Sequence, residues 1–268
     1  MADMDETAGG LFKAGRLAAA VEAAGAAVRK APADLGARVL LAEVLIFAGN
    51  LERADVILDA ASQVDPEAAV VMAEFRQLLR ADTARRQLRR DGRVPEFLGE
   101  PTDTQRLVLA ALVAARAGDA AQAAQLAGRA EAGRPHVAGF AGDAAFDDFR
   151  DADDLCAGSF EVLTTTGKYF WIPTERVASI EFHPPKRPRD LMWRRATMSV
   201  RDGPDGEVYI PVVYGSEDAA LADALKLGRE TDWIQEGDAP VRGVGQRLFL
   251  VGEDAQGIMD LTTLEFNE

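Results

Sequence analysis

Histidine and cysteine are almost missing from this chain: His136, His183 and Cys156 are the only three such side chains in 268 residues. A lone cysteine forms no internal disulfide and excludes a zinc site built on two thiolates. A mixed metal cluster would need all three residues to converge, yet His136 follows Pro135 at a repeat end and His183 precedes Pro184 and Pro185, both boundary positions. The phosphate-cradling Gly-x-x-x-x-Gly-Lys-Ser/Thr loop, the Gly-x-Ser-x-Gly elbow and the His-Glu-x-x-His helix are also missing. The expectation is no cofactor, no metal and no enzymatic activity. A hydrolase working through carboxylates alone stays open, because any fold can assemble an Asp/Glu pair. Long apolar runs are lacking too. The most apolar stretch, Val39 to Phe47, is interrupted by Glu43 and is too short to span a bilayer. Met1 to Gly10 has neither the basic nor the apolar region of a secretory signal. A cytoplasmic location without membrane contact is expected.

Aromatic residues make up only 7% of the chain against 48% apolar residues, so the core must be built largely from Ala, Leu and Val. The length suits about two domains and can bury a core without staples. Basic residues number 30 and acidic residues 44, a net charge of −14. Such a surface repels phosphate backbones, so nucleic acid is not an expected partner. The charge reads first as a solubility device and second as an acidic docking surface.

The strongest pattern is a repeat. Ala14, Gly15, Leu17 and Ala20 recur as Ala48, Gly49, Leu51 and Ala54, and Ala27 and Pro32 as Ala61 and Pro66, each offset by 34 residues. That is the period of tetratricopeptide helix–turn–helix units. Gly15 and Gly49 end one helix in an open conformation, and Ala20 and Ala54 are small where two helices approach. Pro32 and Pro66 stop the second helix. Leu40, Leu41, Val44 and Leu45 supply an apolar face at helical spacing. A third copy follows at Ala117, Gly118, Ala123, Ala127, Ala130 and Pro135, its first helix predicted from about Thr104 to Ala117.

The intervening stretch departs from the repeat. Glu67 to Arg90 predicts one long helix with Val70, Val71, Phe75, Leu78 and Leu79 on an apolar side. Its second half is basic, with Arg80, Arg85, Arg86, Arg89, Arg90 and Arg93. These arginines read as a solvated face paired with acidic neighbours or, more sharply, as a docking site for an acidic partner segment. Aromatics are not interleaved with them, which argues against RNA. Val94 to Pro101 is expected to pack as a loop across the repeat stack.

From about Asp143 the pattern changes, predicting two domains at 1–142 and 143–268. The acidic run of Asp143, Asp147, Asp148, Asp151, Asp153 and Asp154 does not fit a calcium loop and predicts a solvated linker or capping helix. Phe160 to Thr166 and Tyr169 to Ile172 predict a hairpin around Gly167-Lys168, with Thr174 capping a short turn and a strand over Ser179 to Phe182. Pro184, Pro185 and Pro188 form a stiff basic connector. A second hairpin spans Leu191 to Arg201 and Glu207 to Val213 around Asp202-Gly-Pro-Asp-Gly206, where turn chemistry outweighs calcium binding. Ser216 to Leu227 predicts a helix capped by Ser216, followed by short strands around Trp233-Ile234, Arg247 to Val251 and Met259 to Phe266. The fold class is α+β: an all-α repeat domain followed by a smaller antiparallel β-rich domain.

The second half carries the motifs Gly167-Lys-Tyr-Phe-Trp-Ile-Pro173, Pro188-Arg-Asp-Leu-Met-Trp193 and Asp202-Gly-Pro-Asp-Gly-Glu-Val-Tyr-Ile-Pro211 with Tyr214. On these the chain resembles the ImpE family, also called TagJ, of type VI secretion accessory proteins. The resemblance continues through Gly228-Arg-Glu-Thr-Asp-Trp233 and Gly245-Gln-Arg-Leu-Phe-Leu250, in that order, and covers nearly the whole chain. It implies a cytoplasmic, non-enzymatic protein that binds the N-terminal helix of the sheath subunit TssB and modulates sheath handling by the ATPase ClpV. The residues themselves point to a binding module, since a repeat stack offers a groove suited to an amphipathic partner helix. Val39, Glu43, Ile46 and Phe47 are expected on the groove side of the second repeat, and Val108, Leu112 and Arg116 in the third; each could equally be core. Arg85, Arg86 and Arg89 are the basic candidates. Trp171, Trp193 and Trp233, with Tyr169, Tyr209 and Tyr214, read mainly as core of the β-rich domain, with an aromatic binding surface as the alternative. A general assembly scaffold without a helix groove is the competing reading.

Overall fold

Three helical hairpins form around the three glycines of the repeat. The computed structural model describes residues 6–215 and 220–267. Helices α1 (Ala8–Lys13) and α2 (Leu17–Lys30) turn at Gly15, α3 (Leu35–Phe47) and α4 (Leu51–Ser62) at Gly49. A long helix, α5 (Ala69–Asp91), precedes the third pair, α6 (Asp103–Arg116) and α7 (Ala120–Gly133), which turns at Gly118. The glycine φ angles are +78°, +77° and +77°. An L-residue there brings Cβ against the next carbonyl, which costs about 1–2 kcal/mol. At Gly118 an added Cβ meets nothing within 4 Å, while at Gly49 it lies 3.7 Å from Arg86 Nη1. Gly118→Val should therefore lower stability by about 1–2 kcal/mol through backbone strain alone, and Gly49→Val by at least as much. Urea unfolding checks this; an unshifted Gly118→Val midpoint would remove the left-handed role of the repeat glycine.

In the second and third turns the next residue starts the second helix with a polar cap, whereas Arg16 after Gly15 supplies none. Asn50 accepts from Arg53 N and Asp119 from Gln122 N, each supplying a partner for an otherwise orphaned amide. Thr102 and Gln105 form a reciprocal capping box at α6. Ala20, Ala54 and Ala123 are completely buried at the helix crossings.

The apolar side of α5 differs from its expectation. Phe75, Leu78 and Leu79 are buried with Met72 and Leu88, but Val70 and Val71 are exposed. The chain enters α5 through a 3-10 turn at Pro66–Ala68. The first helical turn therefore lies at the edge of the stack, before the core begins. Residues 94–101 also behave differently. Phe97 packs on the helical core, but Glu96 leaves the stack and pairs with the sheet, donating to Tyr169 O (2.8 Å) and accepting from Trp171 N (3.1 Å).

The second half is antiparallel. Strands β1 (Gly139–Ala141), β2 (Ala144–Phe146), β3 (Phe149–Asp151), β4 (Ser159–Leu163), β5 (Tyr169–Pro173) and β6 (Val177–Phe182) come first. Then follow β7 (Trp193–Val200), β8 (Asp205–Pro211), a four-residue helix α8 (Asp223–Lys226), β9 (Thr231–Ile234), β10 (Arg242–Gly245), β11 (Leu248–Val251), β12 (Asp254–Gly257) and β13 (Thr263–Phe266). An eight-stranded sheet has the order β2-β1-β13-β6-β7-β8-β4-β5, flanked by the ribbon β10-β9 and the small sheet β12-β11-β3. The two predicted hairpins are β4–β5 and β7–β8, with Gly167 and Asp202 at positive φ in their turns. The short turn Thr174–Arg176 carries no side-chain cap. The first part of the helix predicted over Ser216 to Leu227, Ser216 included, lies outside the described residues; the described part, from residue 220, is helical only in α8.

The acidic run is neither a solvated linker nor a capping helix. It contains β2 and β3, and it buries Asp151 and Asp153. Phe146 and Phe149 pull it inward, joining Phe160, Phe249 and Phe266 in an aromatic cluster.

Alternation along the large sheet separates two cores. Phe160, Val162, Ile172, Met198 and Ile210 face the small sheet. Leu163, Tyr169, Trp171, Trp193 and Tyr209 face the helices and join Phe75, Leu78 and Leu79 of α5 in a continuous core. The ring of Trp193 meets Phe75 edge-on at 6.1 Å.

Candidate functional site

The groove side predicted for the repeats is occupied by the chain's own second half. Val39, Glu43, Ile46, Phe47, Val108 and Leu112 are all buried. Phe12 packs against Phe47 with ring centroids 5.0 Å apart. Arg187 Nε donates to Glu43 Oε1 at 2.6 Å, so the stiff connector folds back onto α3. Burial raises the Glu43 carboxyl above its usual range despite Arg187 and Arg189 beside it. In the third repeat Val108 and Leu112 belong to the shared core, and Gln105 of the same helix donates to Ser159 Oγ and Trp171 O. Arg116 stays exposed, yet its Nη1 donates to Leu88 O at 2.8 Å. These seven side chains hold the molecule together before any partner arrives.

The basic helix is not a solvated face at its centre. Arg85 is buried, donating to Glu161 Oε2 at 2.9 Å and to Val213 O at 3.1 Å. Asp82, also buried, receives Arg86 Nε at 3.0 Å. Arg89 reaches the Sγ of Cys156 at 3.6 Å. Charge reversal at Arg85 would therefore disrupt folding before it could report on a partner; Arg86, half-buried, is the position of this group nearest solvent. Arg80, Arg90 and Arg93 keep the exposed character first expected of the whole group.

Around Arg85 lies a buried ionic network that the sequence reading missed. Glu161 receives Arg85, Arg247 and the Tyr169 hydroxyl (2.5 Å), and Trp171 Nε1 donates to that hydroxyl at 2.6 Å. Arg247 also donates to Asp151 Oδ2 at 2.5 Å, and Tyr214 donates its hydroxyl to Asp151 Oδ1 at 2.7 Å. Burial alone would raise the Glu161 carboxyl, but Arg85, Arg247 and Arg89 outweigh it and hold the group well below the usual glutamate range. Asp153 goes the other way: burial pushes it up to about 6, Arg89 only partly offsetting this. Burial, reinforced by Asp153 and Glu161, raises the Cys156 thiol, leaving it unreactive. One signal was available: Glu161 stands alone in the apolar strand run Phe160-Glu-Val-Leu163, a charge on a face that must be buried.

Of the three tryptophans, Trp171 and Trp193 are buried between sheet and helices, while Trp233 is 40% exposed. An open cleft of about 250 Å³ lies at the seam of the two halves. Ile46, Phe47, Met192, Val213, Leu221 and Leu225 make its apolar lining, and Arg85 and Arg86 add positive charge. It brings together residues of α3 and α5 with the loop after β8 and the segment leading into α8. Among the described residues no His/Cys/Asp/Glu group is arranged to hold a metal ion, and no helix is long and apolar enough to cross a membrane.

Residues 143–265 match the ImpE protein family model, and residues 11–75 match a tetratricopeptide repeat model. The type VI secretion system accessory component TagJ of Pseudomonas aeruginosa is 29% identical over 256 residues, covering 96% of this chain and 89% of that protein. The X-ray crystal structure of protein VPA1032 from Vibrio parahaemolyticus is also 29% identical, covers 97% of each chain and has a TM-score of 0.91. The likeness thus extends over the repeats, the sheet and the seam between them.

Proposed function

We propose, from the premise that the chain belongs to the ImpE family, that it is a non-catalytic cytoplasmic adaptor of a type VI secretion system. In this reading it holds the N-terminal helix of the sheath subunit TssB and so modulates handling of the sheath by ClpV. The observation that supports it most is the likeness to TagJ along both halves of the chain, repeats and β-rich domain together. A role in protein binding also suits tetratricopeptide repeats, which present helix faces rather than reactive groups.

The cleft at the seam is the place we assign to the helix. Its lining suits one apolar face of an amphipathic helix, and its half-buried Arg86 suits an acidic side chain on the same helix. The buried groove residues then act as the wall behind the cleft, with Ile46 and Phe47 at its floor. A labelled peptide covering the TssB N-terminal helix tests the reading. Saturable binding at micromolar affinity or better is expected, with loss on scrambling the peptide. Leu221→Asp and Leu225→Asp should each weaken it about tenfold, roughly 1.4 kcal/mol, because an ionised group would face the apolar side of the helix. No binding by the folded protein would favour the general scaffold, docked through its outer surfaces.

A further inference from the structure

The exposed tryptophan lies outside the cleft, on the ribbon β9–β10. Trp233 is 40% exposed and its neighbour Ile234 45%, while Trp171 and Trp193 are 3% and 1% exposed. Trp233 stands opposite Gly243 in the ribbon. A Cβ at Gly243 would lie 2.3 Å from Tyr214 Cε2, so the glycine makes room for the tyrosine ring. That ring sits 6.2 Å from the Trp233 ring, and its own hydroxyl is held by Asp151 Oδ1 (2.7 Å) and Leu248 N (3.1 Å). Trp233 therefore leans on a buried, hydrogen-bonded support while leaving part of its indole to solvent. An aromatic ring braced in this way loses little conformational entropy when a partner covers it.

The charge along residues 230–241 has one sign. Glu230, Asp232, Glu236 and Asp238 are all exposed, and residues 230–241 contain no Lys, Arg or His. The two arginines that bound this segment are engaged elsewhere. Arg229 donates to Phe12 O and Lys13 O, and Arg242 donates to Asp153. An acidic partner or a nucleic acid would be repelled here, and a purely apolar one would face desolvated carboxylates. An arginine meets both demands, since its guanidinium stacks on an indole while its N–H groups pair with carboxylates.

We infer that the β9–β10 ribbon is a second docking surface, which takes an arginine-bearing, partly apolar segment of a partner protein over Trp233. The net charge of −14 steers such a segment towards the molecule. This surface adjoins the cleft through Tyr214, which lines the cleft on one side and supports Trp233 on the other, and the acidic docking role first considered for the whole surface is thereby narrowed to one strand pair.

The test is a titration of the full chain with a short synthetic peptide alternating arginine and leucine, followed by calorimetry and by tryptophan emission. Saturable binding is expected, shifting the emission of the exposed indole and weakening with salt. Trp233→Ala should weaken it about tenfold or more, as should the triple change Asp232→Asn, Glu236→Gln and Asp238→Asn. Leu221→Asp should leave it unchanged, which separates this surface from the cleft. As a control, Glu67→Gln with Glu74→Gln neutralises two exposed carboxylates on the helical half and should leave affinity within about twofold at fixed salt. Full affinity in Trp233→Ala, or equal loss in the control, would mean non-specific charge attraction and overturn the proposal. Equal binding of a glutamate–leucine peptide would overturn the arginine requirement. Self-association of the protein alone, abolished by Trp233→Ala, would make a second copy the occupant and overturn it too.

Discussion

Replacing Glu161 with glutamine should cost about 3–5 kcal/mol of stability, the usual loss when one partner of a buried ion pair is removed. The carboxylate faces two buried guanidinium groups, Arg85 and Arg247, and accepts the Tyr169 hydroxyl. Glutamine retains the shape and one carbonyl oxygen but not the charge. Each arginine keeps a second acid, Asp82 for Arg85 (3.6 Å) and Asp151 for Arg247, so the network is weakened rather than erased. The Arg85→Met and Glu161→Leu double variant should be less destabilised than the sum of its singles, because removing both charges leaves neither unpaired. Urea unfolding at neutral pH measures all of these. A loss under about 1 kcal/mol for Glu161→Gln would show that water screens the network as it does at a surface. The pH dependence has a definite sign. The folded-state carboxyl is depressed, so its stabilisation is complete above the ordinary value of 4.5 and is lost as pH falls towards the folded value. The gap between the wild type and Glu161→Gln should therefore close in acid.

The fragment 1–142, expressed alone, should fail to unfold cooperatively. Its long helix α5 buries Phe75, Leu78 and Leu79 in a core completed by Trp171, Trp193 and Leu163 from the sheet. Exposing those three side chains would forfeit up to about 5–9 kcal/mol, at 1.5–3 kcal/mol each. That is comparable with the whole net stability of an ordinary domain. Polar ties across the seam would go as well. Glu43 would lose Arg187, and Arg85 would lose Glu161. The turn between α1 and α2 is held from the far half at both ends. Asp223 accepts from Leu17 N at 2.9 Å at the start of α2, and Arg229 donates to Phe12 O and Lys13 O at the end of α1. Both charges complement the helix dipoles they meet, and α2 has no side-chain cap of its own. Broad urea unfolding and a flat near-ultraviolet circular dichroism spectrum are expected. A sharp transition with native helicity would mean that the halves are independent domains.

Much of the local architecture was legible because it depends on neighbours in sequence. The repeat hairpins follow from Gly15, Gly49 and Gly118, since a left-handed turn selects glycine wherever it occurs. The strand pairs β4–β5 and β7–β8 follow from alternating apolar residues and from turn residues at Gly167 and Asp202. The likeness to the ImpE family was legible too, carried by motifs spread across the second half, where residues 143–265 match the family model.

What the sequence by itself determined, then, was the repeat hairpins, the two strand hairpins of the second half and the resemblance to the ImpE family model. Which face of each element is free was decided only by the tertiary structure. Val39, Ile46 and Phe47 carry the same apolar pattern whether they meet a partner helix or their own chain, and hydrophobic burial has no direction that distinguishes the two. The same holds for charge. Arg85 and Arg90 look alike in the helix, but Glu161, 76 residues from Arg85, buries the first and leaves the second in solvent. Pairing over that distance is fixed by how the sheet stacks on α5, and no local pattern encodes it.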